Sequence, residues 1–168
     1  MNFYLIGMMA SGKSYFGKTW AEKNHLSFID LDEIIVKEYG APIAEIFELE
    51  GESFFREMEK IVLRQTETIE NTIIACGGGT ACFHDNMEWM NEQGVTIWLN
   101  PGIEDILENL KNDQATRPLL LNMNAEDLKE NLIKHLNHRA SFYEKATYEI
   151  TNFDDADNLF QLILNRHA

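Results

Sequence analysis

The chain has 168 residues and a formal net charge of −14, from 28 acidic and 14 basic side chains. A nucleic-acid surface or an anionic membrane surface needs a basic face, so this charge argues against both kinds of partner. The length suits one domain with a substantial core, and the absence of a long apolar run or a charged leader predicts a cytoplasmic protein without a signal peptide.

The first predicted elements are a strand, a phosphate-binding loop and a helix. Asn2–Ile6 is a short, mostly apolar run suited to a buried strand. Residues 7–14 read Gly-Met-Met-Ala-Ser-Gly-Lys-Ser, a complete G-x-x-x-x-G-K-[ST] motif. Residues 15–24 then read as a helix whose N-terminus faces the phosphates. A chance Gly-rich turn would not need a strand before the motif and a helix after it.

Each fixed position of this motif has a physical role. Gly7 and Gly12 let the backbone turn back on itself, so that its N–H groups point at phosphate oxygens. Lys13 brings a positive charge to the β- and γ-phosphates, and the Ser14 hydroxyl is placed to bind Mg²⁺. The start of the chain therefore predicts a nucleotide site.

Strand-like runs and helical patterns alternate through the rest of the chain. The predicted strands are 26–29, 72–76, 95–99 and 148–151. The predicted helices are 31–39, 43–49, 51–69, 86–92, 103–110, 125–143 and 157–165. Such alternation indicates parallel pairing and an α/β sandwich, in which ligands bind at the carboxyl ends of the strands.

Two carboxylates, Asp30 and Asp32, follow the second predicted strand. If Asp30 is extended, both can point into one cleft, where one holds Mg²⁺ through water and the other orients or deprotonates a substrate hydroxyl. In the competing interpretation, Asp32 only caps a helix that begins near Glu33. The position next to a phosphate loop favours the functional interpretation.

Arginines are the second group of candidate site residues. Arg56 lies four residues after Glu52 and three before Glu59, so both carboxylates can brace its guanidinium group for bidentate capture of a carboxylate. The alternative is a solvated salt-bridge face. Arg139, one helical turn before Tyr143, reads from its own segment as a surface arginine.

Two further segments carry residues typical of ligand sites. Gly77-Gly78-Gly79 follows a predicted strand, where three glycines let backbone N–H groups approach a ligand closely. Arg117-Pro118 lies in a long polar stretch, which predicts a mobile lid that brings a charge to a transferring phosphoryl group. Together with the phosphate loop, these segments describe a small-molecule phosphotransferase.

Cys76 and Cys82 are the two cysteines of the chain. They could form a disulfide or a metal pair. No other Cys or His cluster joins them, so we expect buried free thiols in a reducing compartment.

The motifs, taken in order, resemble those of the shikimate kinase family over nearly the whole chain. A phosphate loop occurs in many kinases, but this series is much more specific. The motifs that carry the resemblance are GMMASGKS at 7–14, FIDLD at 28–32, IFELEGESFFREME at 46–59, CGGGT at 76–80, RPLL at 117–120 and RASFYE at 139–144.

The resemblance implies a P-loop NTPase fold of the nucleoside-monophosphate-kinase type, a three-layer sandwich whose five-stranded parallel sheet is flanked by helices. It also implies Mg²⁺-dependent transfer of phosphate from ATP to the 3-hydroxyl of shikimate, a step of the chorismate and aromatic amino-acid pathway. We expect one monomeric domain spanning 1–168, with a substrate-binding region at about 31–60 and a lid at about 111–124.

The resemblance assigns roles to the residues of the nucleotide site. The implied nucleotide-binding residues are Gly7, Ala10, Ser11, Gly12, Lys13, Ser14, Tyr15 and Arg117. Lys13 resembles the phosphate-binding lysine, and Arg117 the lid arginine that neutralises phosphate charge. Ser14 resembles the magnesium ligand and Asp30 the outer-shell magnesium residue.

It assigns the shikimate site in the same way. The implied substrate-binding residues are Asp32, Phe47, Phe55, Arg56, Gly77, Gly78, Gly79 and Arg139. Asp32 would hold the substrate hydroxyls and act as base, while Arg56 and Arg139 would hold the carboxylate. Gly78 and Gly79 would pack against the ring, and the two phenylalanines would line the apolar side.

Two positions depart from the family pattern, and two rival functions remain. The basic residue that often precedes the lid arginine is represented at best by Lys111, and the loop at 151–155 carries no basic residue for adenine. One rival is another kinase of this fold, such as a gluconate kinase, which would not need two arginines converging on a carboxylated ring. The other is a nucleotide-binding module without transferase activity, which would not need acceptor and lid residues.

Overall fold

A parallel β-sheet forms the centre of the structure, a computed structural model that describes residues 1–112 and 123–168. Within this part of the chain the sheet has five strands in the order β2-β3-β1-β4-β5. The strands are β1 Asn2–Ile6, β2 Ser27–Asp30, β3 Thr72–Ala75, β4 Gly94–Leu99 and β5 Tyr148–Ile150. Their positions confirm the predicted strands to within about two residues at each end.

Helices connect the strands and cover both faces of the sheet. They are α1 Lys13–Asn24, α2 Leu31–Tyr39, α3 Ile43–Glu50, α4 Glu52–Gln65, α5 Asn86–Gln93, α6 Ile103–Asn112, α7 Ala125–Tyr143 and α8 Ala156–His167. Alternate residues of β1 point into two separate cores, because successive side chains of a strand face opposite ways. Tyr4 and Ile6 face one core, and Phe3 and Leu5 face the other. The predicted three-layer sandwich is therefore confirmed.

Two predicted helix boundaries were wrong. The first helix begins at Lys13, inside the phosphate-loop motif, and not at residue 15. The helix predicted to run to residue 69 ends at Gln65 and is followed by a 3₁₀ turn, Thr66–Thr68. The hydroxyl of Thr66 donates to the carbonyl of Leu63 at 2.7 Å, a local bond that competes with continuation of the helix.

The register of the sheet brings several loops to one edge. Ala75, the last residue of β3, pairs with Leu5 of β1 and with Asp30 of β2. Ile97 of β4 pairs with the same Leu5 on its other side. Because the strands are parallel, the phosphate loop, the Asp30 segment and the triple-glycine loop all leave the sheet at its carboxyl edge.

Both cysteines are free thiols, as predicted, but they differ in exposure. Cys76 is buried, whereas Cys82 is only partly buried, so the expectation that both are buried was wrong for Cys82. Burial raises the pKa of each thiol, to about 11 for Cys82. In the part of the chain that the structure describes, no helix is long and apolar enough to cross a membrane.

Packing of α8 on the sheet gives a stability prediction. Phe160 is fully buried, stacked on Trp20 at a centroid distance of 4.5 Å. Phe160→Ala leaves a cavity there, so we expect the free energy of unfolding to fall by about 3–5 kcal/mol in urea titrations. Leu162→Ala removes a side chain of the same helix that is 66% exposed, and we expect a change within about 0.5 kcal/mol. Equal losses for the two variants would contradict this packing.

Candidate active site

The loop between β1 and α1 has the strained backbone that its glycines predict. Gly7 and Gly12 have φ angles of 140° and 95°, a region that side chains rarely allow. Ala10 has a φ of 56°, which the sequence did not indicate, because alanine has no special preference for this region. The side-chain amide of Asn109 donates to the Ala10 carbonyl at 2.9 Å and ties this part of the loop to α6.

Lys13 lies buried at the centre of this loop. Its Nζ donates to the carbonyls of Gly7 at 2.9 Å and Met8 at 2.6 Å, and to the Ser11 hydroxyl at 3.3 Å. The ammonium group is therefore held within the curve of the loop, at the N-terminal end of α1. A helix N-terminus and a buried cation together make a strong site for an anion.

Ser14 and Asp30 form a pair of oxygen donors beside the loop. The Ser14 hydroxyl donates to Oδ2 of Asp30 at 2.5 Å. Asp30 has extended dihedral angles, as predicted, and its Oδ1 accepts from the backbone N–H of Asp32 at 3.0 Å. Asp30 is thus the N-cap of α2, and the interpretation of Asp32 as the cap was wrong.

Asp32 lies in the first turn of α2, close to the triple-glycine loop. A Cβ atom added to Gly77 would lie 3.0 Å from Oδ1 of Asp32 and 2.9 Å from Oε1 of Glu59. The two carboxylates therefore approach the same glycine. The proximity of Asp32 to Gly77 brings the segment after β2 next to the segment after β3.

The guanidinium group of Arg56 is buried and braced by two carboxylates, as the sequence predicts. Its Nη1 donates to Glu59 at 2.9 Å, and its Nη2 lies 3.3 Å from Glu52. Arg56 is 8% exposed and Glu59 is fully buried, so the solvated salt-bridge interpretation was wrong. Glu59 also accepts from the Thr80 hydroxyl at 2.5 Å.

Aromatic rings surround the same guanidinium group. The Phe83 ring centroid lies 4.1 Å from Cζ of Arg56, and the rings of Phe55 and Phe47 lie at 5.2 and 5.8 Å. Phe47 and Phe55 pack together with centroids 4.6 Å apart, and they form an apolar wall. Sequence reasoning missed Phe83, although its position four residues after the glycine triplet was an available signal.

Arg139 and Arg56 approach the triple-glycine loop at neighbouring residues. A Cβ atom at Gly79 would lie 2.5 Å from Nη2 of Arg56, so only glycine fits there without displacing the guanidinium group. A Cβ atom at Gly78 would lie 3.2 Å from Nη1 of Arg139. Both arginines also lower the pKa of Cys82, although burial has the larger effect and raises it. Arg139 is only partly buried, but its approach to Gly78 shows that it is not an isolated surface arginine.

Tyr143 ties this loop to α7 and to the phosphate loop. Its hydroxyl donates to the carbonyl of Gly78 and lies 3.9 Å from the Met8 sulfur. Burial raises the pKa of Tyr143 well above its usual value, which keeps the hydroxyl protonated as the donor to Gly78. Spacing along the chain predicted no role for Tyr143, because these contacts join distant segments.

Other predicted residues lie at the margins of this site or outside the described residues. Tyr15 is 69% exposed, and its ring packs edge-on against Phe16. The loop after β5 packs against the same helix, α1, because the ring centroids of Phe153 and Phe16 lie 5.4 Å apart. Lys111 is exposed near the end of α6. Arg117 and most of the predicted lid fall within 113–122, which the structure does not describe.

The donor set is consistent with a magnesium site of the kind found with bound phosphates. Ser14 and Asp30 supply hard oxygen atoms next to the phosphate loop. Among the described residues, no group of three or more His, Cys, Asp or Glu side chains could hold a metal ion. Mg²⁺ usually binds through one or two protein oxygens together with phosphates and water, so a small donor set suits it.

Comparison with known proteins identifies the family. A family model for shikimate kinase matches residues 9–167. A shikimate kinase of Bacteroides thetaiotaomicron is 36% identical over 162 residues, which cover 96% of this chain and 92% of that protein. A shikimate kinase of Azobacteroides pseudotrichonymphae is 43% identical over 145 residues, which cover 86% of this chain and 85% of that protein.

Solved structures agree with these matches. The crystal structure of shikimate kinase from Bacteroides thetaiotaomicron has a TM-score of 0.93 at 33% identity and covers 98% of both chains. Shikimate kinase from Acinetobacter baumannii, solved in complex with shikimate, has a TM-score of 0.86 at 34% identity, over 98% of this chain and 93% of that chain. The chain belongs to the shikimate kinase family.

Proposed function

We propose that this protein transfers phosphate from ATP to the 3-hydroxyl of shikimate. The observation that carries this proposal is the approach of Arg56 and Arg139 to adjacent glycines, at the same sheet edge as the phosphate loop. A small acceptor fits this arrangement if it has one carboxylate for the two arginines and a hydroxyl group that can face the phosphate loop. Membership of the shikimate kinase family supports the choice of acceptor.

The phosphate loop is the proposed nucleotide site. Backbone N–H groups of the segment from Gly7 to Ser14 bind phosphate oxygens, and the N-terminus of α1 adds its partial positive charge. Lys13 exchanges its contacts with the loop carbonyls for contacts with the phosphates, where it stabilises the charge of the transferring group. Ala10 lies within this segment and Tyr15 directly follows it, and both would bind phosphate through their backbone N–H groups.

Ser14 and Asp30 are the proposed magnesium residues. Ser14 would bind the ion through its hydroxyl, and Asp30 through a water molecule. The bound ion would neutralise charge on the phosphate oxygens and align the transferring group. Because the Ser14 hydroxyl is already held by Asp30, its oxygen is fixed in position before the ion arrives.

The acceptor binds between the two arginines and Asp32. Arg56 and Arg139 hold its carboxylate, and Phe47 and Phe55 contact its apolar side. Asp32 accepts a hydrogen bond from the reacting hydroxyl and takes its proton as the oxygen attacks. Gly77, Gly78 and Gly79 leave room for the ring because they carry no side chains.

The remaining parts of the proposal concern organisation. We propose one domain over 1–168, acting as a monomer in the cytoplasm, with a substrate-binding region at about 31–60. A lid at about 111–124 would bring Arg117 to the phosphates. Closure of such a lid would exclude water and so suppress idle hydrolysis of ATP.

An ADP-release assay with Mg-ATP tests the whole proposal. The assay compares shikimate, gluconate and no acceptor at equal concentration. We expect ADP release to depend on shikimate, because gluconate lacks a ring that fits beside the glycine loop. Release with gluconate alone, or nucleotide binding with no turnover on either acceptor, would overturn the choice of shikimate.

Lys13→Ala tests the phosphate loop. Loss of the buried ammonium group removes stabilisation of the developing phosphate charge, so we expect kcat/KM to fall about 100-fold or more. Lys18→Ala, on the same helix, removes a lysine whose side chain is 57% exposed and paired with Glu33, and should leave steady-state kinetics unchanged. Near-wild-type turnover by Lys13→Ala would refute the assignment.

Asp32→Asn tests the proposed base. The amide keeps the shape of the side chain but cannot accept the proton, so we expect kcat to fall about 100-fold or more. The matched control is Glu33→Gln, at the next position of α2, where the side chain is 67% exposed. If Asp32→Asn changed only the KM for ATP, Asp32 would not be the base.

Arg56→Lys tests recognition of the acceptor carboxylate. Lysine keeps the charge but loses the planar fork that binds a carboxylate in two places, so we expect the KM for shikimate to rise about tenfold. The same change at the exposed Arg166 of α8 serves as control. An unchanged KM for shikimate would mean that Arg56 is only structural.

A further inference from the structure

We propose that the hydroxyl group of Thr80 is a positioning group for Arg56 and acts through the carboxylate of Glu59. This inference rests on the proposed function, in which Arg56 holds the carboxylate of shikimate. Thr80 follows the glycine triplet and begins a 3₁₀ turn, Thr80–Cys82. The Thr80 hydroxyl would determine how well the guanidinium group of Arg56 is aligned, and it would take no part in the reaction itself.

Both oxygens of Glu59 are hydrogen-bonded, and each to a different residue. Oε1 accepts from the Thr80 hydroxyl at 2.5 Å, and Oε2 accepts from Nη1 of Arg56 at 2.9 Å. Glu59 and Thr80 are both 0% exposed. Because both side chains are buried, the short bond from Thr80 fixes the rotation of the carboxylate, and this rotation sets the direction in which Nη1 is held.

The second carboxylate beside Arg56 is a weaker support. Glu52 is 58% exposed, and its Oε1 lies 3.3 Å from Nη2 and 3.4 Å from Nε of Arg56. Because Glu52 itself is largely exposed, water competes for its carboxylate and weakens this pair. The orientation of Arg56 therefore depends mainly on Glu59.

Thr80 is itself held in place by a buried scaffold. Its backbone N–H donates to the Gly77 carbonyl at 3.1 Å. Its carbonyl accepts from the Asn86 side chain at 2.9 Å, and the Asn86 oxygen accepts from Arg64 at 3.1 Å. These bonds run from α4 through α5 to the glycine loop. They hold the backbone of Thr80 in place and so restrict the position of its hydroxyl group.

Removal of the hydroxyl would leave Oε1 of Glu59 buried without its donor. An unpaired buried carboxylate oxygen is costly, so the carboxylate would turn or draw in water. Either response moves Oε2 and with it the guanidinium group of Arg56. Binding of the acceptor carboxylate would weaken, whereas the phosphate loop would not change.

Thr80→Val tests this inference, because it keeps the shape of the side chain and removes the hydroxyl. We expect the KM for shikimate to rise roughly tenfold, with kcat and the KM for ATP within about twofold of wild type. Thr80→Ser keeps the hydroxyl and should restore a KM close to that of wild type. If Thr80→Val does not fold, Thr80→Ala serves in the same comparison.

Thr96→Val is the matched control for the loss of a buried hydroxyl. Thr96 is also 0% exposed and also donates a 2.5 Å bond, to Asn91, but it lies on β4 in a different hydrogen-bond group. We expect Thr96→Val to lower the melting temperature and to leave the KM for shikimate unchanged. An equal KM for the Thr80 and Thr96 variants would overturn the positioning role.

A double-mutant cycle identifies the residue through which Thr80 acts. In the Arg56→Lys background, Thr80→Val should raise the KM for shikimate less than twofold, since the fork that it aligns is absent. Full additivity of the two changes would contradict action through Arg56. Tryptophan fluorescence titration with shikimate gives the same comparison for binding without turnover.

The wild-type enzyme separates failure of this inference from failure of the proposed function. If wild-type protein neither binds shikimate nor releases ADP with it, both proposals are wrong. If wild-type protein uses shikimate and Thr80→Val has normal affinity for it, the proposed function stands and the positioning role is wrong.

Discussion

Parallel pairing of β1, β2 and β3 is the constraint on which the site depends. The pairing of Leu5 and Asp30 with Ala75 places the ends of three strands side by side. The phosphate loop, the triple-glycine loop and the aspartate segment then begin at the same edge of the sheet, on three neighbouring strands. The backbone of the sheet thus brings together residues that lie up to about 70 positions apart in the chain.

A second level of organisation comes from buried polar contacts among the loops. Glu59 joins α4 to the glycine loop through Thr80, and Tyr143 joins α7 to the same loop at Gly78. Each contact crosses between elements that the sheet alone does not fix. Burial strengthens such bonds and makes their loss expensive, so the loop between the two arginines has little freedom to move.

Local features of the site could be predicted from the sequence, whereas long-range contacts could not. Strand and helix positions followed from hydrophobic spacing, and the bracing of Arg56 followed from the separation of residues on one helix turn. The roles of Thr80, Phe83 and Tyr143 depend on which segments meet in space, which spacing along the chain does not reveal. The positive φ of Ala10 has no signal in its residue type. Arg117 stays a prediction, because it lies outside the described residues.

The contact between Glu52 and Arg56 has a consequence for how the pocket responds to salt. Oε1 of Glu52 already lies along the Nε–Nη2 edge of the guanidinium group. A carboxylate ligand that uses this edge therefore replaces one anion with another, and does not add an anion to a bare cation. Because the displaced Glu52 carboxylate stays on the chain beside the ligand, the two negative charges repel each other, and added salt screens this repulsion on a chain whose net charge is already −14.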